Sequence, residues 1–313
     1  MMIRRTLFAT IAAAAVSALF AATPAHADWH DQVKELRVGL IGGENAGDQL
    51  ARYTDFKAYL EKKLNVPVKL FQASDYAGVM QAFSAGQLDL SPNMGAAIYA
   101  ATWIDTNGGI EPIVVAKELD GSTGYYSVLY CRADSPYKSI DDLKGKSIAY
   151  ADPNSTSGFL VPASEFRGMG KDPTKFFSKT SFGGGHEQAV VAVMKGQYDA
   201  GFTWISGQGK MEDGYTRGNL RSMVDKKMLS MDQIRILWQS RLIPNGPVVV
   251  RKDLPADLKA ELTKVFLALK DDQPKMYVDI NQGDGAGYAT VTHEFYQPVV
   301  DMKRAEADIR RGG

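Results

Sequence analysis

The chain is predicted to be an α/β protein of two lobes with a cleft between them. Three observations lead there. Apolar β-rich runs alternate with helical repeats at the pace of parallel strand–helix units. The alternation comes as two sets, roughly 36–120 and 125–240, before the chain returns to a strand and ends in helices. The polar turns that could hold a ligand fall where strands give way to helix starts, the position at which open α/β sheets bind small molecules.

In the first set, Leu36 to Ile41 reads as a strand closed by Gly42-Gly43. From Asp48 to Leu64, Leu50, Tyr53, Phe56, Leu60 and Leu64 recur at intervals of three or four, which predicts a helix with those side chains inward; Asn45 and Asp48 suit its cap. Val66 to Phe71 is a second strand, and Asp75 to Ala85 a helix capped by Ser74 or Asp75. Leu88–Leu90, Ala96–Trp103 and Pro112–Ala116 follow as strand, helix and strand.

The second set opens on the β-rich run Tyr125 to Cys131. Ile140–Leu143 is a helical turn, Ser147–Tyr150 a strand and Pro162–Gly168 a helix. Thr180-Ser181-Phe182, a helix Gln188–Met194, and strands Tyr198–Phe202 and Ile234–Trp238 come next. Segment 206–230 reads as irregular cover with one helix at most. Val248–Val250 and the helices Leu254–Leu269 and Tyr296–Ile309 complete the chain.

The first 27 residues carry the marks of an export leader. Arg4 and Arg5 precede an apolar stretch, Leu7 to Phe20, and Ala25-His26-Ala27 is a small-x-small cleavage pattern, so the mature chain is expected to begin at Asp28. The apolar stretch is shorter than the ~20 residues a membrane span needs. The chain has 36 basic and 36 acidic residues, and removing Arg4 and Arg5 leaves a net charge of about −2. That balance points away from nucleic acid and anionic membranes as partners. Cys131 stands alone, which rules out an internal disulfide and suits a buried thiol. The four His, one of them in the leader, show no metal-ligand spacing, so no metal or cofactor is expected.

The most telling stretch is Asp152-Pro153-Asn154-Ser155-Thr156-Ser157-Gly158-Phe159-Leu160-Val161-Pro162. Ser155, Thr156 and Ser157 with Gly158 at a helix start offer several O–H and N–H donors to one point, where the helix dipole also favours an anion. The stretch lacks Lys and Arg, so it reads as holding a small oxyanion by hydrogen bonds rather than by a fixed counter-charge. A Gly-x-Ser-x-Gly elbow, a metal cluster and a phosphate loop of the Gly-x-x-x-x-Gly-Lys type are all missing from the sequence, which argues against a hydrolase or nucleotide enzyme.

Four motifs, Asp75-Tyr76-Ala77-Gly78-Val79, Gly124-Tyr125-Tyr126-Ser127-Val128, Asp152 to Pro162 and Gly185-His186-Glu187, occur in this order in one family. The chain resembles the periplasmic phosphate/phosphite/phosphonate-binding proteins of ABC importers, from about Leu36 to Val250 and more weakly beyond. The resemblance implies a type II periplasmic-binding-protein fold: lobe 1 over 28–122 and 245–313, lobe 2 over 123–244, two crossover strands, and ligand capture by hinge closure. It implies a binding protein rather than an enzyme, located in the periplasm as a monomer or weak dimer. Its partners would be a small phosphorus oxyanion and a membrane permease with its ATPase. A sensing module for a membrane receptor is the alternative, a phosphoester hydrolase a more remote one.

Carried over residue by residue, the resemblance places Ser155, Thr156 and His186 on the oxyanion, with Ser157 beside them. It adds Tyr76 from the first lobe and Tyr125 near the hinge, leaving Tyr126 to the core and Glu187 to a structural role at its helix start. Relatives that bind an aminoalkylphosphonate hold the amine with two carboxylates. The corresponding positions here fall at about Ser206 and in the turn Leu242-Ile243-Pro244-Asn245-Gly246-Pro247, neither of which supplies an acid. A buried ammonium without a paired carboxylate is costly, so 2-aminoethylphosphonate is expected to bind poorly. Trp204, Asn93 and Met94 are expected to shape a smaller or more apolar pocket.

Overall fold

The computed structural model describes residues 28–312; the proposed leader, residues 1–27, lies outside them. The strands are β1 (Leu36–Leu40), β2 (Val68–Gln72), β3 (Leu90–Ser91), β4 (Ile110–Ala116), β5 (Gly124–Arg132), β6 (Ser147–Tyr150), β7 (Lys179–Phe182), β8 (Ala200–Ile205), β9 (Ile234–Gln239), β10 (Ile243–Pro244), β11 (Pro247–Arg251) and β12 (Tyr288–Thr290). They form two mixed sheets. One runs in the order β12-β4-β11-β3-β1-β2. The other runs β10-β5-β8-β6-β7, with β9 also paired to β5. In the first sheet β1 is parallel to β2 and β3, while β11 runs antiparallel between β3 and β4. The chain passes between the sheets twice: after β4 into β5, and from β10 into β11. These two crossings sit at the back of the cleft and are joined by the Asn245 N–H donating to the Thr123 carbonyl at 2.9 Å.

Helix Ala46–Leu64 shows how sequence makes an element here. Asn45 Oδ1 accepts from the N–H groups of Gly47 and Asp48, capping the first turn. Tyr53, Phe56, Leu60 and Leu64 are buried against Leu36 and Val38. Leu50 is not; it is 45% exposed. The inward position of that turn belongs to Gln49, whose Nε2 donates to the Ile41 carbonyl at 2.6 Å. The helix stops where Asn65 turns left-handed, at φ 51°.

Segment 206–230 holds a short turn, Met211–Asp213, and the helix Asn219–Asp225. Several elements escape the sequence pattern, among them the short helices Trp29–Gln32 and Pro173–Phe176, strand β10, helix Pro274–Asn281 and the edge strand β12. Cys131 lies in β5 with its side chain fully buried in the second lobe's core. The last helix, Gln297–Gly312, packs Val299 and Val300 with helix Ala96–Asp105 in the first lobe. It also reaches the second lobe. Arg167 Nη1 donates to Glu306 at 2.5 Å, and Lys303 Nζ donates to Asn154 Oδ1 at 3.2 Å.

Candidate functional site

A cavity of about 110 Å³ lies between the lobes, where strand ends meet helix starts. After β6 the chain turns at Asp152 and enters a π-helical turn, Thr156–Leu160, continued by helix Val161–Gly168. Leu160 N–H reaches back five residues to the Ser155 carbonyl at 3.0 Å. A turn of this kind leaves its first N–H groups, at Thr156 and Ser157, without partners inside it. Gly158 is needed for close approach: a Cβ there would stand 2.4 Å from Ala151 Cβ and 2.9 Å from the His186 ring.

Ser155 Oγ accepts from Gly158 N–H at 2.9 Å and meets His186 Nε2 at 3.0 Å. On the other side of the imidazole, Nδ1 lies 3.3 Å from Thr203 Oγ1, which accepts from Asn219 Nδ2 at 3.0 Å. The two ring nitrogens of His186 are thus bracketed by the hydroxyls of Thr203 and Ser155. Ser155 lines the cavity with its hydroxyl fixed between Gly158 N–H and the imidazole. Burial keeps His186 neutral, pushing its pKa down to about 3. The imidazole orients a hydroxyl; it does not supply a positive charge.

The first lobe closes over this turn. Thr156 Oγ1 accepts from Ala97 N–H at 2.9 Å, at the start of helix Ala96–Asp105, whose Gly95 cap offers no side chain. The Asp152 carboxylate takes the Asn154 N–H from its own turn at 2.6 Å, and burial raises its pKa. The backbones of Gly43 and Gly185 touch across the cleft, for a Cβ on Gly185 would fall 2.3 Å from Gly43 Cα. At the mouth, Lys226 joins Glu187 at 2.8 Å to Asp48 of the opposite lobe at 3.2 Å.

Seven of the eight expected site residues line the cavity: Tyr76, Tyr125, Ser155, Thr156, Ser157, His186 and Trp204. Both tyrosines are buried, which keeps their phenols protonated as donors. For Tyr125 the Ser157 and Thr156 hydroxyls oppose that upward shift. Tyr125 stands edge-on to Trp204 with centroids 5.5 Å apart. Ser206 does not join them. Strand β8 ends at Ile205 and Gly207 turns the chain at φ 74°, so Ser206 Oγ pairs with Thr216 Oγ1 at 2.8 Å. Met94 is also a correction: it is fully buried in the first-lobe core, while Asn93 does line the cavity.

The sequence reading missed the basic residues. Residues 152–162 lack Lys and Arg, but the cavity wall contains Arg52 and Arg217. Arg52 pairs with Glu44. Arg217 pairs with Glu118 at 2.7 Å and lies over the Trp204 ring, 5.3 Å from its centre. Neither arginine belongs to a recognisable motif. The nearest cue is the Arg217-Gly218-Asn219 step into helix Asn219–Asp225. Among the described residues, no cluster of three or more His, Cys, Asp or Glu is placed to hold a metal.

Residues 38–296 match the family model described as ABC transporter, phosphonate, periplasmic substrate-binding protein. The chain belongs to this family. It is 32% identical over 250 residues to the phosphonates-binding periplasmic protein of Escherichia coli (strain K12), covering 78% of this chain and 68% of that one. It is 30% identical over 240 residues to the phosphate-import protein PhnD of Mycolicibacterium smegmatis, covering 74% of this chain and 70% of that one. Among solved structures it resembles a binding-protein component of a phosphonate ABC transporter from Pseudomonas aeruginosa. There the TM-score is 0.72 and the identity 26%, over 86% of this chain and 85% of that one. PhnD1 from Prochlorococcus marinus in complex with methylphosphonate shares the fold, with a TM-score of 0.73 at 22% identity over 88% of this chain and 98% of that one.

Family and fold are those of periplasmic binding proteins, not enzymes, and the two α/β lobes with their crossovers are the type II binding-protein architecture. Membership implies a small-molecule ligand and a cognate permease with its ATPase.

Proposed function

We propose that this protein captures a small phosphorus oxyanion in the periplasm and delivers it to its permease by hinge closure. The candidates are phosphite, an alkylphosphonate such as methylphosphonate, or a related phosphate ester. The observation that carries the reading is the convergence of Ser155, Thr156, Ser157, His186, Tyr76 and Tyr125 on one cavity, with Ser155 Oγ held between Gly158 N–H and a neutral His186. The free N–H groups of Thr156 and Ser157 and the phenols of Tyr76 and Tyr125 supply further donors around one point. An oxyanion with three oxygens and a compact substituent matches that set. The names of the two relatives, one for phosphonates and one for phosphate, support the same ligand class.

In this reading the lobes comprise 28–122 with 245–313, and 123–244, and the protein acts as a monomer or weak dimer. Residues 1–27 direct export and are removed. Intact mass of the periplasmic protein tests this, with Asp28 as the expected first residue. Closure is driven because the ligand touches both lobes and so binds the closed form better than the open one. Isothermal titration of the mature protein with phosphite, methylphosphonate, phosphate, phosphocholine and 2-aminoethylphosphonate tests the ligand class. Tight one-to-one binding of an amine-free compound, with 2-aminoethylphosphonate weak, is expected. Silence from all five overturns the reading.

A further inference from the structure

One wall of the cavity is built around Arg217. Its side chain is only 5% exposed, yet it lines the cavity. Nη2 donates to Glu118 Oε1 and to Asn245 Oδ1, both at 2.7 Å, and Nε points at Glu118 Oε2 at 3.4 Å. Glu118 also accepts from Asn245 Nδ2 at 2.9 Å. The remaining guanidinium nitrogen, Nη1, donates to no group among the described residues, and it is not sealed off from the cavity. A guanidinium presents its donors in a fixed plane. With Trp204 beneath that plane and Glu118 holding one edge, Nη1 is the edge left for a ligand.

The acids at the cavity are each paired with a cation, although Glu44 Oε2 keeps no hydrogen-bond partner among the described residues. Glu118 is bound as above, Glu44 pairs with Arg52 and Glu187 with Lys226. Ser206 is turned away, and the Asn245 amide is committed to Glu118 and the Ala116 carbonyl. At this part of the cavity the chain presents a guanidinium edge.

Resting on the phosphorus-oxyanion reading, we infer that the ligand carries a second acceptor group, a carboxylate, on its organic end, seated on Arg217 Nη1. The substrate class is then a short phosphonocarboxylate. The phosphorus group lies on the Ser155 turn, and the carboxylate lies on the side chain that also ties the two chain crossings through Glu118 and Asn245. Charge-assisted hydrogen bonds of this kind are roughly twice as strong as neutral ones.

The test is titration calorimetry on the mature chain with phosphonoacetate and 3-phosphonopropionate, set against ethylphosphonate and propylphosphonate, with 2-aminoethylphosphonate as the cationic probe. The better phosphonocarboxylate is expected to bind at least about tenfold tighter than either alkylphosphonate, and 2-aminoethylphosphonate weaker than both. Arg217→Met combined with Glu118→Gln removes both charges without stranding a buried carboxylate. It should bring the affinities for phosphonocarboxylates and alkylphosphonates to within about twofold of each other, a ratio read on protein shown to be folded by thermal melting. Glu118→Gln alone leaves the guanidinium uncompensated and should enlarge the preference. If alkylphosphonates bind and phosphonocarboxylates are no tighter, this inference falls and the oxyanion reading stands. If none of these compounds, nor phosphite or methylphosphonate, binds, both fall.

Discussion

Replacing Thr156 by Val tests the cleft at a buried polar contact between the lobes. The hydroxyl is 2% exposed as part of Thr156 and accepts the Ala97 N–H at 2.9 Å. Valine keeps the shape and places a methyl where the oxygen stood. In the open protein the Ala97 N–H faces water in either variant, so nothing changes there. In the closed protein the N–H is left buried without an acceptor, because Gly95 offers no side-chain cap. An unsatisfied buried donor costs about 1–3 kcal/mol. That cost falls wholly on closure, and closure is coupled to binding, so the dissociation constant should rise by roughly 5- to 150-fold. Any hydrogen bond from the Thr156 hydroxyl to the ligand adds in the same direction. Calorimetric titration with methylphosphonate reads the change, and Thr156→Ser, which keeps the hydroxyl, should stay within about threefold of wild type. A valine variant within twofold of wild type would refute the argument that this contact closes the cleft.

Three further outcomes follow from the same geometry. His186 is held neutral with a pKa of about 3, against 6.5 in the unfolded chain. The unfolded state therefore gains a proton below about pH 6.5 that the folded state refuses until about pH 3, and stability drains away across that window as pH falls. The loss is about 2 kcal/mol at pH 5. Urea unfolding at pH 7 and 5 should show wild type losing that much more than His186→Gln, and equal losses would mean the imidazole charges freely in the fold. Lys226→Met removes the cation that joins Glu187 to Asp48 at the cleft mouth. Because Asp48 is half exposed, the effect should be only about 1 kcal/mol, or about fivefold in affinity. It should shrink in 0.5 M salt, roughly a 4 Å screening length, and a difference insensitive to salt would contradict an electrostatic clasp. Gly158→Ala forces a Cβ to within 2.4 Å of Ala151 Cβ and 2.8 Å of Ser155 Oγ. It should destabilise the fold by about 1–3 kcal/mol and abolish oxyanion binding in the folded fraction; thermal melting with titration checks both, and unchanged affinity would remove Ser155 from the site.

The readable parts of the sequence were those where local pattern and function share one stretch. The Ser147–Tyr150 strand, the hydroxyl-rich turn and the following helix are consecutive, so the turn is visible in one glance. Asn45 announces a helix start in the ordinary way. Arg217 is different: its partners Glu118 and Asn245 are 99 and 28 residues away, and its own segment has no apolar period. Only the closing of the two crossings brings these three together. Leu50 and Gln49 mislead for a subtler reason. Apolar spacing of three selects Leu50, whereas a backbone carbonyl at Ile41 rewards the inward amide of Gln49. Helix Pro274–Asn281 hides because Pro274 looks like a stop, though at a first helical position it is a start. Ser206 sits one residue past the end of its strand, where alternation no longer tells which way a side chain points.

The last helix gives the molecule a second place at which capture can be adjusted. It is built into the first lobe through Val299 and Val300, yet Glu306 and Lys303 hold Arg167 and Asn154 of the second. Neither Glu306 nor Lys303 lines the cavity. Under the proposed closure, substitutions there are expected to shift the balance of open and shut while leaving the cavity lining as it is. Choice of cargo and firmness of grip are therefore written at separate addresses, and a lineage can retune the second for scarce or plentiful supply while leaving the first untouched.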